Sequence, residues 1–231
     1  MHSPPTTSSD RHTARTASRS ALVLAAISAL LLSLVAASWD PLMTVDGDIA
    51  RTTHRWAVDD RGVTRANRIL TDWVWDPVTM RALGAVAVVW LVWRQGLRWQ
   101  ALWIVVAVAL GTLLQQSLKA AVDRARPSWP DPVDSAHYAA FPSGHAMTAT
   151  VVCGLLLWTL RPFLGRVLWR TALAVAVVSV VGVALTRVWL GVHWPSDVVG
   201  GWLIGALVVA LAVASYEKWG AVLDRRSPGP S

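Results

Sequence analysis

Six long apolar runs divide the chain and constrain its fold more than any other feature. They occupy residues 21–38, 78–93, 101–118, 143–160, 171–190 and 198–216. Each approaches the roughly 20 residues that a helix needs to cross the hydrocarbon core of a bilayer. Because backbone polar groups inside a bilayer must be hydrogen-bonded internally, such runs fold as helices. The sequence therefore predicts an all-α, polytopic membrane protein: a bundle of six transmembrane helices forming one domain over residues 21–216.

The segments outside these runs are polar. Residues 1–20 show no apolar periodicity, and we expect a disordered tail. Residues 39–77 carry apolar side chains at helical spacing, which predicts one or two amphipathic helices on the membrane surface. An ordinary packed surface loop is the alternative. Arg15 and Arg19 precede the first run and would suit a signal peptide, but the run is longer than a usual h-region, which favours an uncleaved helix.

Charge and cysteine content exclude other classes of protein. The formal net charge is +7, but the basic residues are scattered in loops between the apolar runs, so we expect no nucleic-acid partner. Their density beside the runs instead signals topology and places both termini in the cytoplasm, residues 217–231 forming the second tail. The single cysteine, Cys153, excludes an internal disulfide and a cysteine-based zinc site.

Three polar segments interrupt the apolar pattern where a membrane helix would meet water. The first, residues 119–127, closes the third run; the second, 141–145, opens the fourth; the third, 186–197, joins the fifth to the sixth. With both termini in the cytoplasm, alternation along six helices places all three on the extracytoplasmic face. Their candidate functional residues are Lys119, Arg126, Ser143, Gly144, His145, Arg187, His193 and Asp197.

The first segment offers two cations. Lys119 and Arg126 are seven residues apart, so a helix continuing past residue 118 would place both on one face, about 10 Å apart. Pro127 would then end that helix. Two cations on one face suit the two sides of a phosphate, and arginine adds a bidentate fork. The alternative is interfacial snorkelling, which is common for basic side chains at the ends of spans.

The second segment is typical of a helix N-terminus. We expect Ser143 to be the N-cap, and the amides that follow it have no intrahelical acceptor, so they form a natural phosphate cradle. Gly144 would let the backbone approach the anion closely. His145 is placed to give a proton to a departing oxygen. A plain helix cap with a surface histidine is the alternative.

The third segment pairs an imidazole with a carboxylate. Asp197 follows His193 by four residues, a spacing that allows contact if Pro195 starts the sixth helix. Such a contact would fix the tautomer of the imidazole and leave its other ring nitrogen free to attack a substrate.

Together the three segments resemble the signature of the phosphatidic acid phosphatase type 2 superfamily, which also includes the soluble vanadium haloperoxidases. That signature is K-x6-R-P, P-S-G-H and S-R-x5-H-x3-D; Thr186 stands here where the family more often has serine. The resemblance implies that His193 is the nucleophile, forming a phosphohistidine, and that Asp197 orients it. It also implies phosphate binding by a set of five residues: Lys119, Arg126, Arg187, the Ser143 hydroxyl and the Gly144 amide. Arg124 lies outside the signature, with either a helper or a purely surface role.

The function expected from this resemblance is hydrolysis of a lipid phosphate or diphosphate whose apolar tail stays in the bilayer. Phosphatidic acid, phosphatidylglycerophosphate and a polyprenyl diphosphate are the candidate substrates. Three fixed cations can stabilise the spreading charge of a phosphoryl transition state, so we expect neither a metal nor another cofactor. Phosphotransfer to a lipid or sugar hydroxyl is an alternative. A non-enzymatic transporter is disfavoured, because the charges gather at one face. The partners expected are the lipid phosphate substrate and membrane lipids; the oligomeric state is open.

Overall fold

The computed structural model describes residues 8–220 and residue 223, and these residues form helices joined by irregular segments without any strand. The helices are α1 (Ser8–Ala36), α2 (Asp40–Asp59), α3 (Arg61–Ile69), α4 (Pro77–Trp90), α5 (Arg98–Val122), α6 (Gly144–Leu160), α7 (Arg166–Trp189) and α8 (Pro195–Ser215). The longest irregular segment joins α5 to α6. The predicted all-α fold class is confirmed.

Six helical stretches in the described part of the chain are long and apolar enough to cross a membrane. They are Thr16–Ala36, Arg61–Gln95, Arg98–Val122, Gly144–Phe163, Arg166–Trp189 and Pro195–Gly220. The predicted number of spans is therefore confirmed. Because α1 begins at Ser8, residues 8–20 are helical and not the disordered segment we expected. Residues 1–7 and most of the C-terminal tail lie outside the described residues.

Local sequence signals set several of the helix boundaries. The Asp76 carboxylate accepts hydrogen bonds from the amides of Val78 (2.7 Å) and Thr79 (3.2 Å), and Pro77 takes the first helical position of α4. Asp60 caps α3 in the same way, accepting from the Val63 amide at 2.9 Å. Both caps satisfy amides that lack an intrahelical acceptor.

Small residues bring α6 and α8 into close contact. A side chain at Gly201 would meet the Ser143 carbonyl oxygen at 2.8 Å, and one at Gly205 would meet the Met147 carbonyl oxygen at 3.0 Å. Such close backbone approach is typical of small residues between membrane helices. The N-terminal ends of the two helices therefore lie side by side, and the Ser143 amide donates to the Asp197 carbonyl at 2.9 Å.

The helices predicted between residues 39 and 77 are present as α2 and α3. Their apolar side chains point outward: Trp56 is 55% exposed, and Val63 and Ile69 are also exposed. Their buried residues are mostly small or polar, namely Asp46, Gly47, Ala50, His54, Ala57 and Thr64. Both helices contact α7, and α2 also contacts α8. They therefore pack on the bundle through a polar face and leave their apolar face uncovered.

Candidate active site

The three polar segments of the sequence meet at one end of the bundle. Lys119 lies in the last turn of α5 and Arg187 in the last turn of α7. Ser143 directly precedes α6, and Asp197 lies in the first turn of α8. His145 in the first turn of α6 is within electrostatic range of the other charged groups of the site, Lys119, Arg126, Arg187 and His193.

His193 and Asp197 form a buried pair at the start of α8. The Asp197 carboxylate oxygen Oδ2 lies 3.3 Å from Nδ1 of His193 and also accepts from the Trp194 amide at 2.9 Å. His193 is 2% exposed and Asp197 is fully buried. Helix α8 begins at Pro195, which meets the condition for contact between residues of this spacing. The contact fixes Nδ1 of His193 as the protonated nitrogen, because a carboxylate only accepts hydrogen bonds.

The other ring nitrogen of His193 faces a cation. Its Nε2 lies 3.1 Å from Nη1 of Arg126, so it serves as the acceptor. The pKa of His193 is held well below its ordinary value, first by burial and then by the positive charges of Arg126, Arg187 and Lys119. The imidazole is therefore neutral at neutral pH, with a lone pair on Nε2 that can attack an electrophile.

The expected helical placement of Arg126 is wrong. Helix α5 ends at Val122, and Asp123 adopts a left-handed conformation with φ of 42°. Aspartate tolerates that conformation better than most residues do, because its short polar side chain can bond locally. The chain then turns away from the helix axis, and the Arg124 carbonyl accepts from the Ala140 amide at 2.8 Å. Arg126 therefore reaches His193 from an irregular segment.

Arg124 and Arg126 reach the two members of the His193–Asp197 pair. Arg124 Nη1 lies 2.7 Å from Asp197 Oδ1, while Arg126 Nη1 contacts His193. Residues two apart lie on the same side of an extended chain, whereas on a helix they diverge. The side chain of Arg124 is only 10% exposed, so the purely surface alternative is wrong.

Three further polar groups lie around the same space. Lys119 is nearly buried and its Nζ donates to the Ala139 carbonyl. Arg187 is 5% exposed; its Nη1 lies 4.0 Å from Asp134 Oδ2, and its Nε has no hydrogen-bond partner among the described residues. The Ser143 hydroxyl is also buried and unpaired there. Buried donors of this kind favour an anion, because leaving them unpaired is costly.

Ser143 occupies the predicted N-cap position, but its hydroxyl makes no capping bond. It therefore remains available to a ligand. Gly144 has a packing reason to be glycine: a side chain there would lie 2.8 Å from Nε2 of Gln115 on α5.

Arg126 is fixed by loop carbonyls, its Nε donating to Tyr138 at 2.8 Å and its Nη2 to His137 at 3.1 Å. Burial lowers the pKa of Arg126, and the Asp197 carboxylate opposes that effect.

Sequence reasoning missed Asp46, which lies on α2 and is far along the sequence from the three polar segments. Its carboxylate contacts Arg124 at 2.7 Å and accepts from the Ser196 amide at 2.9 Å. A usable signal existed, because Asp46, His54 and Thr64 lie opposite the apolar stripe of α2 and α3. In a membrane protein such a polar face is expected to turn inward.

Comparison with known families agrees with this geometry. A model described as the PAP2 superfamily matches residues 100–221, more than half of the chain. The chain belongs to the PAP2 superfamily. The resemblance carried by the three polar segments is thereby confirmed, and all three fall inside the matched range.

Three curated PAP2-like relatives are similar over parts of the chain. Phosphatidylglycerophosphatase B of Bacillus subtilis is 32% identical over 52% of this chain and 60% of the relative. Decaprenylphosphoryl-5-phosphoribose phosphatase of Mycobacterium tuberculosis is 41% identical over 41% of this chain and 49% of the relative. Undecaprenyl-diphosphatase of Sulfolobus acidocaldarius is 36% identical over 32% of each chain. The matches thus span from about a third to 60% of these relatives.

One solved structure shares the fold of this PAP2 protein. It is the crystal structure of a transmembrane PAP2 type phosphatidylglycerolphosphate phosphatase from Bacillus subtilis, with a TM-score of 0.67 and 24% sequence identity. The match covers 86% of this chain and 96% of the other, so it extends well beyond the residues that the family model matches. The protein is therefore a multi-pass membrane protein with a PAP2 fold.

Proposed function

We propose that this protein hydrolyses a lipid phosphate or lipid diphosphate through a phosphohistidine on His193. The observation that carries the proposal is the arrangement of His193, buried and neutral, with Nδ1 on Asp197 and Nε2 facing the cations. A nucleophile whose orientation is fixed by a third group is the general arrangement for covalent catalysis.

In the first step, Nε2 of His193 attacks the terminal phosphorus, and the bond from that phosphorus to the departing oxygen breaks; this oxygen is the ester oxygen of a lipid phosphate or the bridging oxygen of a lipid diphosphate. His145 must carry an added proton for this step, which the negative charge of the bound phosphate beside it favours, and it gives that proton to the departing oxygen. Lys119, Arg126 and Arg187, with the Ser143 hydroxyl and the Gly144 amide, hold the three equatorial oxygens, over which the transition-state charge spreads. Arg126 Nη1 must leave Nε2 for a phosphate oxygen in this step. In the second step, water gives a proton to His145 and attacks phosphorus, the nitrogen–phosphorus bond breaks, and inorganic phosphate leaves.

The proposed substrate class rests on what the relatives share. Their printed names specify a phosphatidylglycerophosphatase, a decaprenylphosphoryl-5-phosphoribose phosphatase and an undecaprenyl-diphosphatase. Each name joins a phosphate to a lipid. The site of this protein lies at the ends of spanning helices, where a headgroup can reach the cations while its tail stays among lipids. A phosphate or diphosphate ester with an apolar tail is therefore the substrate class we propose.

The decisive experiment follows phosphate on purified protein. Lipid substrate labelled in its phosphate, mixed and quenched rapidly in alkali, should leave label on wild-type protein, because phosphohistidine is stable to base and labile to acid. His193→Ala should retain no label and no turnover, whereas Asp48→Asn, a change at an exposed position of α2, should behave as wild type. Labelled His193→Ala protein would refute the proposed nucleophile. Label that ends on a lipid or sugar hydroxyl, and not in inorganic phosphate, would replace hydrolysis by transfer.

We also propose that both termini are cytoplasmic and the site is extracytoplasmic. The density of basic residues beside the spans supports this orientation. A reporter enzyme active only outside the cytoplasm should work when fused near residue 135 and be silent near residue 96 or 165. The opposite pattern would place the chemistry in the cytoplasm.

A further inference from the structure

We infer that Asp46 and Arg124 are positioning residues that hold the His193–Asp197 pair in its reactive geometry. The inference rests on the proposed function of that pair. Asp46 lies on α2, outside the residues that match the family model. The inference therefore extends the functional unit into the N-terminal part of the chain.

Arg124 uses its fork to join three groups. Nη1 donates to Asp197 Oδ1 and to Ser196 Oγ, both at 2.7 Å, and Nη2 donates to Asp46 Oδ2 at 2.7 Å. Asp197 thus divides its two oxygens, one facing Arg124 and the other facing His193. The carboxylate plane that orients the imidazole is therefore fixed by the guanidinium. A lysine at this position, with one compact ammonium, would not reproduce the planar fork.

Asp46 in turn fixes both Arg124 and the start of α8. Its oxygens accept from the Ser196 amide at 2.9 Å and from the Ser196 hydroxyl. That amide lies in the first turn of α8, where amides lack an intrahelical acceptor and a carboxylate also complements the helix dipole. The Asp46 carboxylate therefore satisfies a first-turn amide of α8 from another helix, α2. Through Ser196 it contacts the residue that precedes Asp197, and its hydrogen bonds within the described part of the chain do not reach the phosphate cradle.

Burial makes this network sensitive to the loss of one partner. Asp46 is 2% exposed and Asp197 is fully buried, so one guanidinium compensates two carboxylates away from water. Removing Arg124 would leave two buried carboxylates without their cation, which is far more costly than the net value of the pairs, whereas Asp46→Asn keeps Arg124 paired with Asp197 but frees the other side of its fork. Loss of Asp46 would leave Arg124 free to tilt, and Asp197 would tilt with it. The expected result is a misaligned nucleophile with an unchanged phosphate cradle.

The test compares Asp46→Asn and Arg124→Lys with matched exposed controls. Asp48 and Arg51 lie on the same helix, α2, and form an exposed pair of their own at 2.6 Å, so Asp48→Asn and Arg51→Lys repeat the chemistry of the changes without the network. The measurements are kcat and KM on a lipid phosphate, inhibition by inorganic phosphate, and melting temperature in detergent.

We expect kcat to fall by about 10- to 100-fold in Asp46→Asn and Arg124→Lys, the range seen when groups that orient metal ligands are removed. KM and the inhibition constant for inorganic phosphate should stay within about twofold, because the three cradle cations are intact. The double variant should lose little more than the worse single variant, because residues that act through one network are not additive. Both control variants should match wild type.

Two outcomes would overturn the inference. One is a folded Asp46→Asn protein with wild-type kcat. The other is a parallel loss of kcat and phosphate affinity, which would indicate a general structural role. If neither variant folds, Ser196→Ala removes one link of the network more gently; a wild-type kcat in it would also overturn the inference, and a severalfold fall with unchanged phosphate inhibition would support it. Failure of the proposed function is distinguishable, because wild-type protein would then form no phosphoenzyme.

Discussion

The two halves of the chain contribute different parts of the same site. The family-matched residues 100–221 supply every side chain that we assign to phosphate or to proton transfer. Residues 8–99 supply none of these, but four of their buried polar side chains contact a residue of the matched half. The pairs are Asp46 with Arg124, His54 with Asp131, Thr64 with Trp189 and Thr71 with Arg187. Under the proposed mechanism, one half carries the chemistry, and the polar contacts of the other half hold that half in place.

The physical reason lies in what surrounds each helix. Lipid solvates apolar side chains, so the polar face of α2 and α3 gains most by turning towards the bundle, where it finds hydrogen-bond partners. The apolar face remains outside, with Trp56 55% exposed. Helices α2 and α3 therefore meet the matched half through polar contacts, whereas α1 and α4 pack on it through apolar side chains such as Val35 and Met80. Substitutions in the two halves should consequently differ in kind as well as in size.

The largest effect is expected at Asp197, in the chemical half, by which we mean the family-matched residues 100–221. Asp197→Asn keeps the shape but presents an amide to Nδ1 of His193, which favours the wrong tautomer. The same change in a serine protease triad lowers kcat by about 10⁴-fold. We expect a loss on the order of 10³- to 10⁴-fold for every substrate, because the nucleophile itself is disturbed. A loss that depended on the leaving group would contradict the assignment and would move Asp197 to the proton-transfer step.

His145, also in the chemical half, should give a selective loss. General acid catalysis typically contributes 10²–10⁴-fold, so His145→Ala should slow hydrolysis of a lipid phosphate by about 10²-fold or more. An aryl phosphate with a good leaving group needs little protonation and should react nearly as fast as with wild type. Equal losses on both substrates would indicate that His145 binds phosphate and is not the acid. If instead His145→Ala abolished the phosphoenzyme and His193→Ala retained it, the two roles would be exchanged.

The fold was predictable from length and hydropathy, because a bilayer allows few arrangements of six apolar runs. Two helix boundaries were not predicted correctly. Helix α1 begins at Ser8, since polar residues continue a helix once an apolar run has nucleated it. Helix α5 ends at Val122, because Asp123 takes a left-handed conformation. The next proline, which we expected to end the helix, is only Pro127. The alanine-rich sequence of residues 119–127 contains no signal that predicts this turn.

The site was predictable only where residues have a fixed spacing. Lys119, Ser143 and His193 stand at set distances from their partners along the chain, so a pattern could find them. Asp46 has no fixed spacing from Arg124, because two spans separate them in the chain. Its role depends on how α2 packs, which the sequence shows only as a polar helix face. The distinction between a helper and a surface role for Arg124 could not be drawn without that contact.

A smaller effect concerns pH and again tests the chemical half. The pKa of His193 is held well below its ordinary value by burial and by nearby cations. As pH falls below about 6.5, the unfolded chain takes up a proton on this residue while the folded chain does not. The free energy of unfolding should therefore fall relative to His193→Gln, by up to about 1.4 kcal/mol per pH unit. Melting temperatures of the two proteins in detergent, from pH 7.5 to 5.5, measure this difference in stability. Parallel curves would mean that His193 takes up a proton in the folded protein as it does in the unfolded chain, and would contradict the prediction.

The smallest effect on activity is expected at Thr64, in the supporting half but away from the His193–Asp197 pair. Its hydroxyl accepts from Nε1 of Trp189 at 3.0 Å and donates to the Ala57 carbonyl at 2.7 Å. Thr64→Val keeps the shape and loses both bonds, which should cost about 1–3 kcal/mol of stability, since a buried donor is left unpaired. The melting temperature should fall by several degrees, because each kcal/mol is about 2–4 °C for a chain of this size. The kcat of the folded fraction should stay within about twofold, unlike that of Asp46→Asn. A loss of kcat as large as that of Asp46→Asn would mean that the whole polar face of α2 and α3 controls the nucleophile, and that Asp46 is not special within it.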